Sequence, residues 1–126
     1  MAERYRRLLE RVHERAGDAF RVAIRYTADD WTILYLRDDL KTEEFRRTVG
    51  RTIARARDYT PISDSDWYDP LGDSQANVEL YDAAAIIHFR DPSGGGGVLV
   101  SLDRDVAQGL GAFVDECTSL IYGSRD

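Results

Sequence analysis

FRVAIRYTADDWTILYL, residues 20–36, is the stretch from which the fold can be read. Phe20, Val22, Ile24 and Tyr26 alternate with Arg21, Ala23 and Arg25. After Thr27-Ala28-Asp29-Asp30, the residues Trp31, Ile33 and Tyr35 alternate with Thr32, Leu34 and Leu36. A two-residue period on both sides of a short polar connection is the pattern of a β-hairpin. Both alternating sets of the second strand are apolar, so cover is expected on each face of the sheet.

Upstream, Tyr5, Leu8, Leu9, Val12 and Ala16 recur at helical spacing, which predicts a helix over residues 3–16 with Gly17 just past its end. Downstream, Thr42 before Glu43 and Glu44 is a cap with an acidic first turn. Phe45, Val49, Thr52, Ile53 and Ala56 then form the apolar stripe of a second helix, which stops at residues 58–61. Residues 75–81, with Ala76, Val78 and Leu80 on one face, and residues 84–90 read as strands joined tightly at Asp82 and Ala83. Residues 98–102 read as a fifth strand. Asp103 is expected to cap a last helix, with Val106, Leu110, Phe113, Val114, Cys117 and Ile121 turned inward and Gly123 at its end. The expected architecture is one α/β domain over residues 1–126. It is a five-stranded antiparallel sheet in the order helix-strand-strand-helix-strand-strand-strand-helix, with the second helix on one face and the first and third on the other.

A chain of 126 residues is too short for a two-domain enzyme and long enough to bury roughly two thirds of its unfolded surface without a disulfide or metal. No apolar run reaches membrane-spanning length. The Arg-rich start, Ala2-Glu3-Arg4-Tyr5-Arg6-Arg7, lacks the apolar stretch of a secretory signal, so a cytoplasmic place is expected. Sixteen of the 17 basic residues are Arg and Asp outnumbers Glu 16 to 7, a surface chemistry suited to a salt-rich cytoplasm that a GC-rich genome would also favour. Residues 1–57 carry 14 basic and 10 acidic groups, residues 58–126 carry 3 and 13. The basic half invites a nucleic-acid reading, but at molar salt the Debye length falls to about 3 Å and long-range steering of a phosphate backbone is lost. DNA is therefore not the favoured partner.

The order of elements, with Leu71-Gly72-Asp73 leading into the third strand, the Gly-rich turn, and Asp103-Arg104-Asp105 leading into an amphipathic helix, resembles the Roadblock/dynein-light-chain family of longin- and profilin-like domains. The sequence is also similar to small haloarchaeal domains that carry Leu34-Tyr35-Leu36-Arg37-Asp38-Asp39, Ser101-Leu102-Asp103 and Phe113-Val114-Asp115-Glu116-Cys117. The Roadblock resemblance implies a homodimer or heterodimer made by edge pairing of third strands and contact between second helices. It also implies a scaffold role for a Ras-like small GTPase in polarity, motility or membrane traffic, with any membrane association made through a partner. The connection at residues 58–72 is longer than the family's.

On a helical wheel the second helix turns Gly50 and Ala54 away from its apolar stripe, flanked by Arg46, Arg47, Arg51 and Arg57. A Gly inside a helix costs about 1 kcal/mol against Ala, so an outward Gly50 suits a close helix crossing between two copies, against the plainer reading of a tolerated Gly on a solvated face. Arg47, Arg51 and Arg55 at successive turns repel one another, which an acidic partner would relieve. Partner binding is thus expected at Arg46, Arg47, Gly50, Arg51, Ala54, Arg55, Trp67 and Tyr68, and strand pairing at Gln75, Asn77 and Glu79.

In the acidic-aromatic connection, Tyr59, Trp67 and Tyr68 are expected to pin the segment over the sheet or to dock a partner. Asp64, Asp66 and Asp69 lack the Gly and Glu of a calcium loop. Gly94 to Gly97, with no Lys-Ser/Thr or helix start after it, reads as a hairpin turn and not as a phosphate-cradling loop. His13 is expected to be exposed and His88 packed in its strand, Cys117 reads as a structural thiol, and no metal, cofactor or catalytic residue is assigned. The expected class is non-enzymatic. The alternatives are a small-molecule-sensing profilin-like or PAS-like domain with Trp31, Tyr35, Trp67 and Tyr68 around a pocket, and a nucleic-acid binder using the Arg of the first two helices.

Overall fold

The computed structural model describes residues 1–91 and 94–123, excluding the side chain of Phe113. Helix α1 (Glu3–Ala16) leads into strands β1 (Phe20–Tyr26) and β2 (Trp31–Leu36). Helix α2 (Glu43–Asp58) follows, then β3 (Ala76–Leu80), β4 (Ala84–Arg90), β5 (Gly97–Asp103) and α3 (Gln108–Tyr122). The five strands form one antiparallel sheet in the order β2-β1-β5-β4-β3, so β2 and β3 are its edges. The α/β class and the chain order of helices and strands are those expected.

Alternation along β5 and along β1 from Val22 onward covers the sheet twice; Phe20, expected on the face of Val22, Ile24 and Tyr26, falls on the other because the β1–β5 register shifts between Phe20 and Val22. Val22, Ile24, Tyr26 and Leu99 pack with Val49, Ile53 and Ala56 of α2. Phe20, Ala23, Val100 and Leu102 pack with Leu8, Leu9, Val12 and Ala16 of α1. The hairpin's second strand contributes Ile33 to the first cluster and Leu34 and Tyr35 to the second, as two-sided cover requires. As an edge strand it stays only half-buried, and Trp31 is exposed. Thr42 caps α2 by accepting from the Phe45 amide at 3.1 Å. Thr52 leaves the expected stripe: it is exposed, and its hydroxyl donates to the Thr48 carbonyl at 3.1 Å.

The α2 side of the sheet also buries a polar pair. Tyr26 Oη and His88 Nε2 share a hydrogen bond of 2.6 Å, and the His88 ring stands edge-on to Tyr59. Burial pushes the His88 pKa down from 6.5. Gly97 fits beside this pair because a Cβ there would collide with the Phe89 carbonyl and, at 2.7 Å, with the Tyr26 hydroxyl. His13 is exposed as expected, with its ring against Phe20 and Tyr35.

Asp103 does not cap the last helix. It ends β5 and accepts from Arg37 at 2.7 and 3.2 Å, with the Arg21 guanidinium at 3.7 Å. A 3-10 turn (Arg104–Ala107) intervenes, and α3 starts without a side-chain cap. The expected inward stripe is corrected as well. Val106, Leu110, Val114 and Ile121 are exposed, Cys117 is half-buried, and Phe113 lies outside the described side chains. The start of α3 is held through Arg104, whose guanidinium donates to the Tyr81 carbonyl (2.6 Å), the Gly111 carbonyl (3.0 Å) and Asp115 Oδ1 (3.2 Å). On α3 it is Gly111 that is buried, with Cys117 and Thr118 half-buried.

Ile53 is fully buried, while a Cβ built on Gly50 meets nothing within 4 Å. In chemical denaturation at low protein concentration, Ile53→Ala is expected to cost about 2–5 kcal/mol. Gly50→Ala should gain up to about 1 kcal/mol from helix propensity. Acid should destabilise the chain in two steps. As pH falls below 6.5 the unfolded chain protonates His88 before the folded one does, so stability drops, and His88→Gln removes that step. The Arg37 hydrogen bond, followed by the charges of Arg37 and Arg21, holds Asp103 below its ordinary 3.8. Its contribution is therefore full above about pH 4 and is lost as pH falls through the lowered value; urea denaturation of Asp103→Asn should lack this second loss.

Candidate functional site

The outer side of α2 is built by subtraction. Val49, Ile53 and Ala56 face the sheet, so Arg46, Arg47, Gly50, Arg51, Ala54 and Arg55 are left exposed. Among the described residues none of these four arginines forms an ion pair. Arg57 belongs elsewhere, donating to the carbonyls of Thr27 (2.9 Å) and Asp30 (3.1 Å) and tying α2 to the β1–β2 turn.

β3 pairs with β4 alone, which leaves its other side open for main-chain hydrogen bonds. Gln75 falls just before the strand, whereas Asn77 and Glu79 lie within it. Both turn toward α2. Together with Thr52, Arg55, Tyr59 and His88 they line a cavity of about 200 Å³ between the helix and the β3–β4 part of the sheet. Asn77 Nδ2 donates to Tyr59 Oη at 2.6 Å, which leaves Asn77 Oδ1 buried without a partner. The Tyr81 hydroxyl donates to Glu79 at 2.8 Å, and this bond, aided by burial, raises the Tyr81 pKa.

The connection after α2 divides its aromatic residues. Tyr59 is half-buried over His88 and takes the Arg90 guanidinium on its ring at 5.3 Å. Trp67 and Tyr68 are 76% and 56% exposed, so they do not pin the segment over the sheet. Asp64 Oδ1 caps the local turn by accepting from the Asp66 amide at 2.9 Å, and among the described residues no His/Cys/Asp/Glu group could hold a metal ion.

The aromatic set named for a sensing pocket does not converge. Tyr35 stacks near Phe20 on the α1 face, Trp31 sits at the start of β2, and none of Trp31, Tyr35, Trp67 and Tyr68 lines the α2 cavity. Arg55, Asn77 and Glu79 were expected at partner and strand contacts, not around a cavity; that they meet Tyr59 and His88 there was missed, and the available signal was His88 sitting inside an apolar alternation. A second feature was missed: Leu110, Val114 and Ile121 of α3 are exposed, as are Val78 and Phe89 on the sheet.

No described helix is long and apolar enough to cross a membrane. No curated protein and no solved structure matches the chain. A family model described as "Domain of unknown function (DUF7522)" matches residues 6–122, a span that runs from the first turns of α1 to the last residue of α3 and so takes in the whole sheet. The chain belongs to the DUF7522 family.

Proposed function

We propose that this chain is a non-enzymatic interaction module that pairs with a second copy and presents the Arg-rich side of α2 to a protein partner. The observation that carries the reading is the outer face of α2. Gly50 opens onto empty space at a helix position where Ala would be preferred, Arg46, Arg47 and Arg51 flank it, and Arg55 lies at the edge toward the cavity, all four without carboxylate partners in ion pairs among the described residues. Small residues at Gly50 and Ala54 let a second α2 approach closely, and guanidinium groups on either side can take carboxylates in bidentate fashion.

The edge position of β3 supports the same pairing, since strand addition across two copies would continue the sheet through main-chain hydrogen bonds. The resemblance to Roadblock proteins names a Ras-like small GTPase as the partner class, held by shape and charge. Trp67 and Tyr68, exposed on the connection after α2, are available for such a partner. The setting of this reading is the cytoplasm.

Light scattering at micromolar protein and molar salt should give the mass of a dimer for the native chain and of a monomer for Gly50→Arg, with an unchanged circular dichroism spectrum. A native chain that is already monomeric under those conditions removes the reading.

A further inference from the structure

At the end of the sheet opposite Asp103, three residues stand side by side on the face that α1 covers. Arg25 of β1 is paired with Val98 of β5, and Val98 with Phe89 of β4. The first turn of α1 adds Arg4 and Tyr5 above this row, and the Gly94–Gly97 turn closes one end. Together they bound a cleft of about 490 Å³, within the range of small-molecule sites.

Three arginines, Arg4, Arg25 and Arg90, and one carboxylate, Asp91, line this cleft. The Arg4 and Arg25 guanidinium carbons lie 4.8 and 5.5 Å from the centre of one ring, that of Tyr5, and Arg4 also donates to the Tyr5 hydroxyl at 2.9 Å. Among the described residues neither arginine forms an ion pair. Two like charges that line one cleft beside the same ring repel, and an anion bound in the cleft relieves that repulsion. A carboxylate would balance one of them. A phosphate monoester carries about −1.5 to −2 at neutral pH and balances both.

The remaining walls fit what such a phosphate would carry. Phe89 is 39% exposed and offers an apolar flank on which a planar base can lie. Gly94 and Gly95, with φ of 87° and 79°, present backbone bare of side chains, so a ligand can come close. The Asp91 carboxylate, also in the wall, repels an anion placed beside it, so the phosphate belongs with Arg4 and Arg25. We infer that the cleft between α1, Arg25, Phe89 and the Gly94–Gly97 turn is a binding site for a nucleoside monophosphate. The arginines take the anion directly, so the turn need not act as a phosphate loop. The site is separate from the outer face of α2.

The test is calorimetric titration of the full chain with AMP, inorganic phosphate, adenosine and a short single-stranded RNA. It is run at about 0.1 M and about 1 M salt, where the Debye length is ~10 and ~3 Å. AMP is expected to bind with a Kd below about 1 mM, more tightly than phosphate or adenosine alone. Arg4→Gln and Arg25→Gln should each weaken AMP at least about tenfold, with circular dichroism unchanged. Phe89→Ala should weaken AMP and leave phosphate unaffected. The inference is overturned if AMP does not bind, if inorganic phosphate binds as tightly as AMP, or if the arginine variants bind AMP as the native chain does. RNA binding tighter than AMP with a steep salt dependence also overturns it, in favour of a nucleic-acid surface.

Discussion

Two strands in the middle of the sheet, β1 and β5, must be covered on both faces, and the rest of the molecule follows from that requirement. Val22, Ile24, Tyr26 and Leu99 present one apolar face, while Ala23, Val100 and Leu102 present the other. One amphipathic helix can cover only one of them, so α2 is committed to the first and α1 to the second. With both helices placed over the centre, the flank of the sheet is left thinly covered. Val78 and Phe89 remain partly open there, and β3 keeps a free edge. The surfaces available for contact are therefore consequences of how the core is closed.

The corners of the fold are held by guanidinium groups. Arg37 grips Asp39 at 2.6 and 3.1 Å and Asp103 at 2.7 and 3.2 Å, and it also donates to the Asp18 carbonyl at 2.8 Å, which fastens the end of β2 to the end of β5 and to the exit of α1. Arg21 reaches Ser101 Oγ at 3.1 Å on the same corner. Two stretches singled out in the sequence, Leu34 to Asp39 and Ser101 to Asp103, thus meet through this clamp. Arg104 makes a second fastening, from the β3–β4 turn to the start of α3. Bidentate Arg–carboxylate contacts suit these places because the planar fork fixes direction as well as distance.

Periodicity made the centre of the fold legible. The strands at residues 20–26 and 31–36, the Thr42 cap and the Val49–Ile53–Ala56 stripe are local patterns, and local patterns determine local structure. What could not be read depended on partners distant in the chain. Asp103 looked like a helix cap because Arg37, 66 positions away, is invisible to a local pattern. The stripe on α3 pointed to burial, yet Leu110, Val114 and Ile121 are exposed, and the helix is tied down through the Arg104 contacts to Tyr81, Gly111 and Asp115, which no periodicity shows. Of the site residues, the exposed face of α2 followed directly from its wheel. The cavity around His88, Asn77 and Tyr59 did not, because it needs the register of β3 on β4 and the reach of the α2 end over both.

The reading of this chain as a pairing module rests on the open edge of β3 and the smooth outer side of α2 belonging to one interface. Amide hydrogen exchange measured across a range of protein concentrations tests this residue by residue. The account predicts that the β3 amides directed away from β4, and those of α2 around Gly50 and Ala54, become more protected as concentration rises, while α1 is unaffected. Protection in β3 and α2 that does not change with concentration would contradict it.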